Sequence, residues 1–191
     1  MSRYAMIFDK KNCIGCNACV VSCQQNYSMP AENKLNWVTV EESGEFPNLK
    51  LDFTPHLCAH CGNPKCVDVC PVEDATFRTP EGYVLINPEN CVGCSLCVKA
   101  CPYGARSMDT EARVAVKCSF CANLVENGGR PVCVSTCPTK CRIFGDLDDP
   151  NSEVSKLVAE GKVVRLDEYL DNGTEDFEPY VYYILEEGKD A

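Results

Sequence analysis

Sixteen of the seventeen cysteines in this 191-residue chain fall into four groups of four. In chain order the groups are Cys13, Cys16, Cys19 and Cys23; Cys58, Cys61, Cys66 and Cys70; Cys91, Cys94, Cys97 and Cys101; and Cys118, Cys121, Cys133 and Cys137. The first and third groups have the spacing C-x2-C-x2-C-x3-C, which is typical of bacterial ferredoxins. The pattern therefore predicts four [4Fe–4S] clusters, and four clusters in one small chain indicate electron transfer.

Disulfides and zinc are the two other uses of so many cysteines. The chain is longer than the scaffolds that depend on disulfides, and the residues from Met1 to Cys13 do not resemble a signal peptide. Two C-x2-C pairs could hold one Zn²⁺, but a third cysteine at the same short spacing is difficult to place on that tetrahedron. A zinc-binding interaction module stays as an alternative, and metal analysis distinguishes the two.

The last cysteine of each group is expected to cross to a neighbouring cluster. In two-cluster ferredoxins the fourth cysteine of a run ligates the other cluster. Proline follows that cysteine in three groups, whereas Gln24 follows Cys23 in the first. Since proline restricts the backbone and does not bind iron, Cys23 is kept as a predicted ligand.

Charge and hydropathy exclude two classes of partner contact. The chain has 18 basic and 28 acidic residues, a net charge of −10, which disfavours binding to nucleic acid phosphates. No apolar run approaches the roughly 20 residues of a membrane-spanning helix. We expect no direct membrane span and no nucleic acid partner.

An internal repeat indicates the fold class. Residues 12–19 match residues 90–97, and each match follows a strand-like run and precedes a short helix, predicted at Ala18–Asn26 and Leu96–Ala100. Gly15 and Gly93 hold the same place in the two matches, where a turn around a cluster is predicted to need the free φ of glycine. Hairpins are predicted on either side of Gly44 and Gly82. The pattern predicts an α+β fold with two ferredoxin-like modules in pseudo-twofold relation, short hairpins, and a C-terminal helix–strand tail over residues 148–191.

The tail contains no cluster cysteine. Ser152 is predicted to cap a helix, and residues 181–185 are predicted to form a final strand. Packing on the cluster core and contact with a larger subunit both remain open for this segment.

The four groups, in this order, resemble the iron–sulfur electron-transfer subunit of the dimethyl-sulfoxide reductase family of molybdenum enzymes. The resemblance covers nearly the whole chain. It includes residues 3–6, 58–64, 101–106, 117–121 and 144–147, and residues 137–147 are most similar to polysulfide and thiosulfate reductase subunits.

The resemblance implies how the cysteines share the clusters. Groups one and four would form one module (residues 1–30 and 112–147), and groups two and three an inserted module (54–111), with a hairpin insertion at 31–53. The implied ligand sets are Cys13, Cys16, Cys19 and Cys137; Cys118, Cys121, Cys133 and Cys23; Cys58, Cys61, Cys66 and Cys101; and Cys91, Cys94, Cys97 and Cys70. Nitrate reductase relatives have tryptophan in place of Cys94 and a [3Fe–4S] cluster, so cysteine here implies a [4Fe–4S] cluster.

The resemblance also implies partners. The chain would relay electrons between a molybdopterin catalytic subunit and a quinol-oxidising membrane subunit or another donor, and would not be an enzyme by itself. Its location would be the outer face of the cytoplasmic membrane, after export with the catalytic subunit, or alternatively the cytoplasm. A subunit of a hydrogenase or of a formate-oxidising complex is the second functional interpretation.

Five further residues lie close to the cluster cysteines. Cys141, the seventeenth cysteine, is interpreted as a small buried filler, although a ligand or a redox thiol is also considered. His60 is either a hydrogen-bond donor to a cluster site or a surface turn residue. Lys99, Arg106 and Lys117 either offset thiolate charge or are solvated, and solvation is the default expectation.

Overall fold

The computed structural model describes residues 2–170 and 175–184. Its strands are β1 (Tyr4–Asp9), β2 (Asn36–Ser43), β3 (Lys50–Leu57), β4 (Thr76–Arg78), β5 (Val84–Ile86), β6 (Arg106–Asp109), β7 (Val114–Lys117), β8 (Arg142–Asp146), β9 (Val164–Arg165) and β10 (Val181–Ile184). Its helices are α1 (Ala18–Asn26), α2 (Lys65–Asp68), α3 (Leu96–Lys99), α4 (Ala122–Val125), α5 (Val132–Ser135), α6 (Glu153–Ala159) and α7 (Leu166–Leu170). Short 3-10 turns lie at Lys10–Asn12 and Glu175–Phe177. These small sheets and short helices form an α+β fold.

The first strand is one of the two inner strands of a four-stranded sheet with the order β8-β1-β10-β9. It pairs antiparallel with β8 and parallel with β10. Met6 and Phe8 pack on the side that holds the cysteines, whereas Ala5 and Ile7 pack against Val154 of α6. Because both faces are covered, this strand is apolar without alternation.

The remaining strands form three antiparallel hairpins, β2–β3, β4–β5 and β6–β7. The first two are the hairpins that the sequence predicts around Gly44 and Gly82. Much of β2–β3 is exposed, including Val40 and Leu51.

The tail packs on the chain itself. The helix predicted after Ser152 is α6, and the predicted final strand is β10, whose Leu185 end lies outside the described residues. Val181 and Tyr183 of that strand are 1% and 0% exposed. Self-packing is therefore the observed role of β10.

The repeated motif has the same backbone in both copies. Gly15 and Gly93 have φ values of +65° and +68°, and Asn17 and Ser95 have +56° and +61°. These left-handed residues turn the chain between successive cysteines and lead directly into α1 and α3, which the sequence places at the same positions. The prediction that glycine is needed for a positive φ is confirmed.

Candidate iron–sulfur cluster sites

Four cavities are each lined by at least four cysteines. Cavity one is lined by Cys13, Cys16, Cys19, Cys137 and Cys141. Cavity two is lined by Cys23, Cys118, Cys121 and Cys133. Cavity three is lined by Cys58, Cys61, Cys66 and Cys101. Cavity four is lined by Cys70, Cys91, Cys94 and Cys97.

The structure therefore brings all sixteen predicted cysteines to four sites. In each cavity, three of the predicted cysteines come from one group and the fourth comes from another group, and cavity one also contains Cys141. Cys16 of cavity one and Cys94 of cavity four are exposed, whereas every cysteine of cavity two is buried. Cavities one and four are thus the ones that present a cysteine at the surface.

Crowding and burial act together on these thiols. Burial, and then the charges of Cys133 and Cys121, raises the pKa of Cys23 to about 12. Burial, and then Cys58 and Cys66, raises the pKa of Cys61 above its usual value. Grouped buried thiols resist ionisation unless a cation is among them, and iron ions supply that cation because a coordinating thiol is held deprotonated. The donor sets and the cavities fit [4Fe–4S] clusters.

Backbone amides donate to several of the sulfurs. The N–H groups of Ala105, Ala115 and Phe120 each lie 3.4 Å from a cysteine sulfur, on Cys101, Cys91 and Cys118 respectively. Hydrogen bonds to sulfur stabilise the more negative state of a cluster site and tune its potential. The turns that place the cysteines therefore also place donors.

His60 is completely buried, so the interpretation as a surface turn residue is wrong. Its Nδ1 accepts the N–H of Val84 at 3.0 Å, which leaves Nε2 to donate to the carbonyl oxygen of Cys118 at 3.0 Å. Burial and the charge of Lys117 hold the pKa of His60 well below its usual range, so the ring is neutral. His60 therefore links a group-two segment to the first cysteine of group four.

Three cations are buried among the cavities. Arg106 and Lys117 are 4% and 8% exposed, so the default expectation of solvation is wrong for both, whereas Lys99 is exposed. Lys117 donates to the carbonyl oxygen of Cys118 at 2.7 Å. Arg142, 2% exposed, donates from Nη2 to Cys19 Sγ at 3.1 Å. Sequence reasoning missed Arg142, although it follows Cys137 at the same distance as Arg106 follows Cys101.

Cys141 is 3% exposed and lies in cavity one. Its Sγ is 3.6 Å from Cys137 Sγ, and a hydrogen bond from Cys141 lowers the pKa of Cys13 to about 6. The thiol is therefore in contact with two of the cysteines that line this cavity.

Shared residues give the cavities an order. Arg142 lines cavity one and contacts Asn36, which lines cavity two. His60 connects Cys118 of cavity two with the segment that supplies cavity three. Arg106 lines cavities three and four. The order is therefore one, two, three, four.

The described part of the chain contains neither a membrane-spanning helix nor a site for a single metal ion. Residues 2–170 and 175–184 contain no helix of the length and hydropathy that crossing a bilayer requires. In the same residues, no three His, Cys, Asp or Glu side chains are grouped closely enough for a single metal ion.

Comparison with known proteins gives two overlapping family matches. Residues 12–75 and 49–147 each match a family described as a 4Fe-4S dicluster domain. Two dicluster domains carry four [4Fe–4S] clusters, so the predicted cofactor content is confirmed.

Three similar proteins illustrate the range of relatives. Protein NrfC of Escherichia coli (strain K12) is 43% identical over 85% of this chain and 74% of its own length. A tetrathionate reductase subunit of Salmonella typhimurium (strain LT2) is 40% identical over 95% of this chain and 72% of its own length. A selenate reductase subunit of Mesobacillus selenatarsenatis is 36% identical over 95% of this chain and 72% of its own length.

Proposed function

This chain belongs to the 4Fe-4S dicluster family, and on that basis we propose that it is the electron-transfer subunit of a molybdenum or tungsten bis-pterin oxidoreductase. Its relatives include subunits of tetrathionate and selenate reductases. When bound, a [4Fe–4S] cluster accepts and returns one electron while its charge spreads over several irons and sulfurs. The chain has no catalytic role of its own; its residues hold, separate and tune four such sites.

One observation carries the proposal: four cysteine-lined cavities follow one another, and the two end cavities present an exposed cysteine. The proposed ligands are Cys13, Cys16, Cys19 and Cys137 in cavity one; Cys23, Cys118, Cys121 and Cys133 in cavity two; Cys58, Cys61, Cys66 and Cys101 in cavity three; and Cys70, Cys91, Cys94 and Cys97 in cavity four. Their shared cavities support these sets.

The same ligand sets support two ferredoxin-like modules, one inserted in the other. One module comprises residues 1–30 and 112–147, and β1 pairs with β8 across its two pieces. The inserted module comprises residues 54–111, with residues 31–53 as a hairpin insertion and 148–191 as a tail. Since β6 pairs with β7, the strand Val114–Lys117 extends the inserted module beyond residue 111.

The ends of the path are the proposed contact points for partners. Ile14, two residues before Cys16, is 57% exposed, and Val92, two residues before Cys94, is 66% exposed. An exposed apolar residue in the same loop as a surface cysteine fits a close contact with another redox protein. The catalytic subunit would contact one end, and a quinol-oxidising membrane subunit or another donor the other, at the outer face of the cytoplasmic membrane.

The experiment is purification of the full chain with its native partner under anaerobic conditions. We expect about sixteen irons per copy of this chain, together with molybdenum or tungsten and pterin in the large subunit. Nickel in the large subunit would instead identify a hydrogenase subunit, and zinc without iron would identify an interaction module. Protease accessibility in intact spheroplasts then tests the outer-face location.

A further inference from the structure

Two arginines occupy equivalent positions in the two halves of the chain. Each lies five residues after a cysteine that is followed by proline: Arg106 after Cys101, and Arg142 after Cys137. Each is the first residue of a strand, β6 and β8 respectively. They are 4% and 2% exposed, a burial that arginine rarely reaches without a partner for its charge.

Arg142 lies between cavities one and two. Its Nη2 donates to Cys19 Sγ of cavity one at 3.1 Å and to Asn36 Oδ1 at 3.2 Å. The guanidinium also interacts with Cys133, which lines cavity two. Its guanidinium carbon is also 4.9 Å from the ring centre of Phe8, a cation–π contact that holds it in place.

Arg106 has the corresponding position between cavities three and four. Its side chain lines both cavities, and Nη2 donates to Thr76 Oγ1 at 2.9 Å. Its charge interacts with cysteines of both sites: Cys66 and Cys58 of cavity three, and Cys97 of cavity four.

Neither guanidinium is paired with a carboxylate in the part of the chain that the structure describes. Nε and Nη1 of Arg106, and Nη1 of Arg142, are buried without a hydrogen-bond partner among those residues. A buried, unpaired cation is costly, so these groups require negative charge from another source. Iron–sulfur clusters with four thiolate ligands are the anions that the adjacent cavities would contain.

We propose that Arg142 and Arg106 are shared cations, each of which stabilises the reduced state of the two clusters on either side of it and so raises both of their reduction potentials. The inference rests on the ligand sets proposed above. It assigns Arg142 to the sites of cavities one and two, and Arg106 to those of cavities three and four. The two arginines place a positive charge beside the clusters and are not iron ligands.

The direction of the effect follows from charge. One-electron reduction makes a cluster site more negative by one unit, so a fixed cation beside it favours the reduced state. Loss of one charge-assisted hydrogen bond changes such an equilibrium by about tenfold. For a one-electron couple, tenfold corresponds to about 59 mV, so we expect a lowering of at least that size at the nearer cluster of each pair.

The test is a redox titration of the intact complex, or of the full chain, followed by EPR. The variants are Arg142→Gln and Arg106→Gln, with Arg130→Gln as the control because Arg130 is exposed on the group-four loop. Iron content and the four potentials of the unsubstituted protein are measured first. We expect Arg142→Gln to lower two of the four potentials, Arg106→Gln to lower the other two, and Arg130→Gln to leave all four unchanged.

Unchanged potentials in an iron-replete glutamine variant would overturn the proposal, as would the same two clusters responding to both substitutions. Should a glutamine variant lose iron, the lysine variant at that position decides, because it keeps the charge without the planar fork. If the lysine variant keeps its iron and its potentials lie within about 59 mV of those of the unsubstituted protein, the proposal is supported. A larger shift, or loss of iron from the lysine variant as well, overturns it. Fewer than four clusters before substitution, or a nickel partner, would instead count against the proposed function.

Discussion

His60 stacks on Phe120 with ring centroids 3.8 Å apart and ring planes 18° apart. Each residue immediately precedes the second cysteine of a C-x2-C pair, and both have a positive φ, +46° and +53°. Two equivalent residues of the cluster-binding groups therefore meet face to face between cavities two and three. The contact joins the two halves of the proposed path through side chains that the cluster turns themselves position.

The hydrogen bonds of His60 can be tested separately from its stacking. His60→Phe keeps an aromatic ring for stacking but leaves the buried N–H of Val84 without its acceptor. The carbonyl oxygen of Cys118 still accepts a hydrogen bond from Lys117. We expect a loss of about 1–3 kcal/mol in the free energy of unfolding, measured by anaerobic urea denaturation of the iron-loaded protein.

The control for this change is His56→Phe. His56 is only partly buried, and it stacks on Trp37 and contacts Thr39 in the β2–β3 hairpin. A change within about 0.5 kcal/mol is expected there. Equal losses in the two variants would contradict the role given to the His60–Val84 hydrogen bond.

Replacing Gly93 by alanine is expected to remove iron from cavity four only. A Cβ at this position would clash with the backbone oxygen of Arg113, which has no side-chain freedom to move away. Gly93→Ala must therefore displace the loop between Cys91 and Cys94, and iron analysis should show about four of sixteen irons lost.

Gly104→Ala separates this clash from backbone strain. Gly104 has a similar φ of +61°, but a Cβ there meets nothing within 4 Å. We expect it to cost about 1–2 kcal/mol while retaining the full iron content. Loss of iron from both variants would mean that strain, and not the contact with Arg113, disrupts the site.

Cavity one contains five cysteines, which makes Cys141 dispensable as a ligand. Cys141→Ser should keep about sixteen irons per chain, because four other thiols line that cavity. Cys70→Ser is the matched comparison, since cavity four is lined by only the four cysteines of its proposed set. It should lose at least one iron from that cavity, and an equal loss in Cys141→Ser would identify Cys141 as a ligand.

Local spacing made the cluster turns predictable, whereas long-range packing was not encoded in the same way. The residues of α1 and the two hairpins follow from short runs and their turn residues, and the structure has them as predicted. The parallel pairing of β1 with β10 joins segments about 175 residues apart, and no periodicity specifies such a partner.

Burial of charge was the larger error of sequence reasoning. Arg106 and Lys117 look like ordinary surface cations when only their neighbours in sequence are considered, yet both are buried among cysteine-lined cavities. A charged residue gives no sign of burial unless its counter-charge is known, and here the counter-charge belongs to a bound group. The repeated five-residue offset after Cys101 and Cys137 was the available signal for Arg142.

Cys94 determines the type of the fourth cluster. It lines cavity four with Cys70, Cys91 and Cys97, and it is the exposed member of that set. The intact oxidised protein should therefore give no stoichiometric [3Fe–4S] signal in EPR. Cys94→Ala removes the thiol for one iron corner, so about fifteen irons and one [3Fe–4S] signal per chain are expected. Ser95→Ala, a neighbouring change that leaves all four thiols, should keep the original spectrum. A full [3Fe–4S] signal before substitution, in protein kept anaerobic throughout, would show that Cys94 does not complete the fourth site.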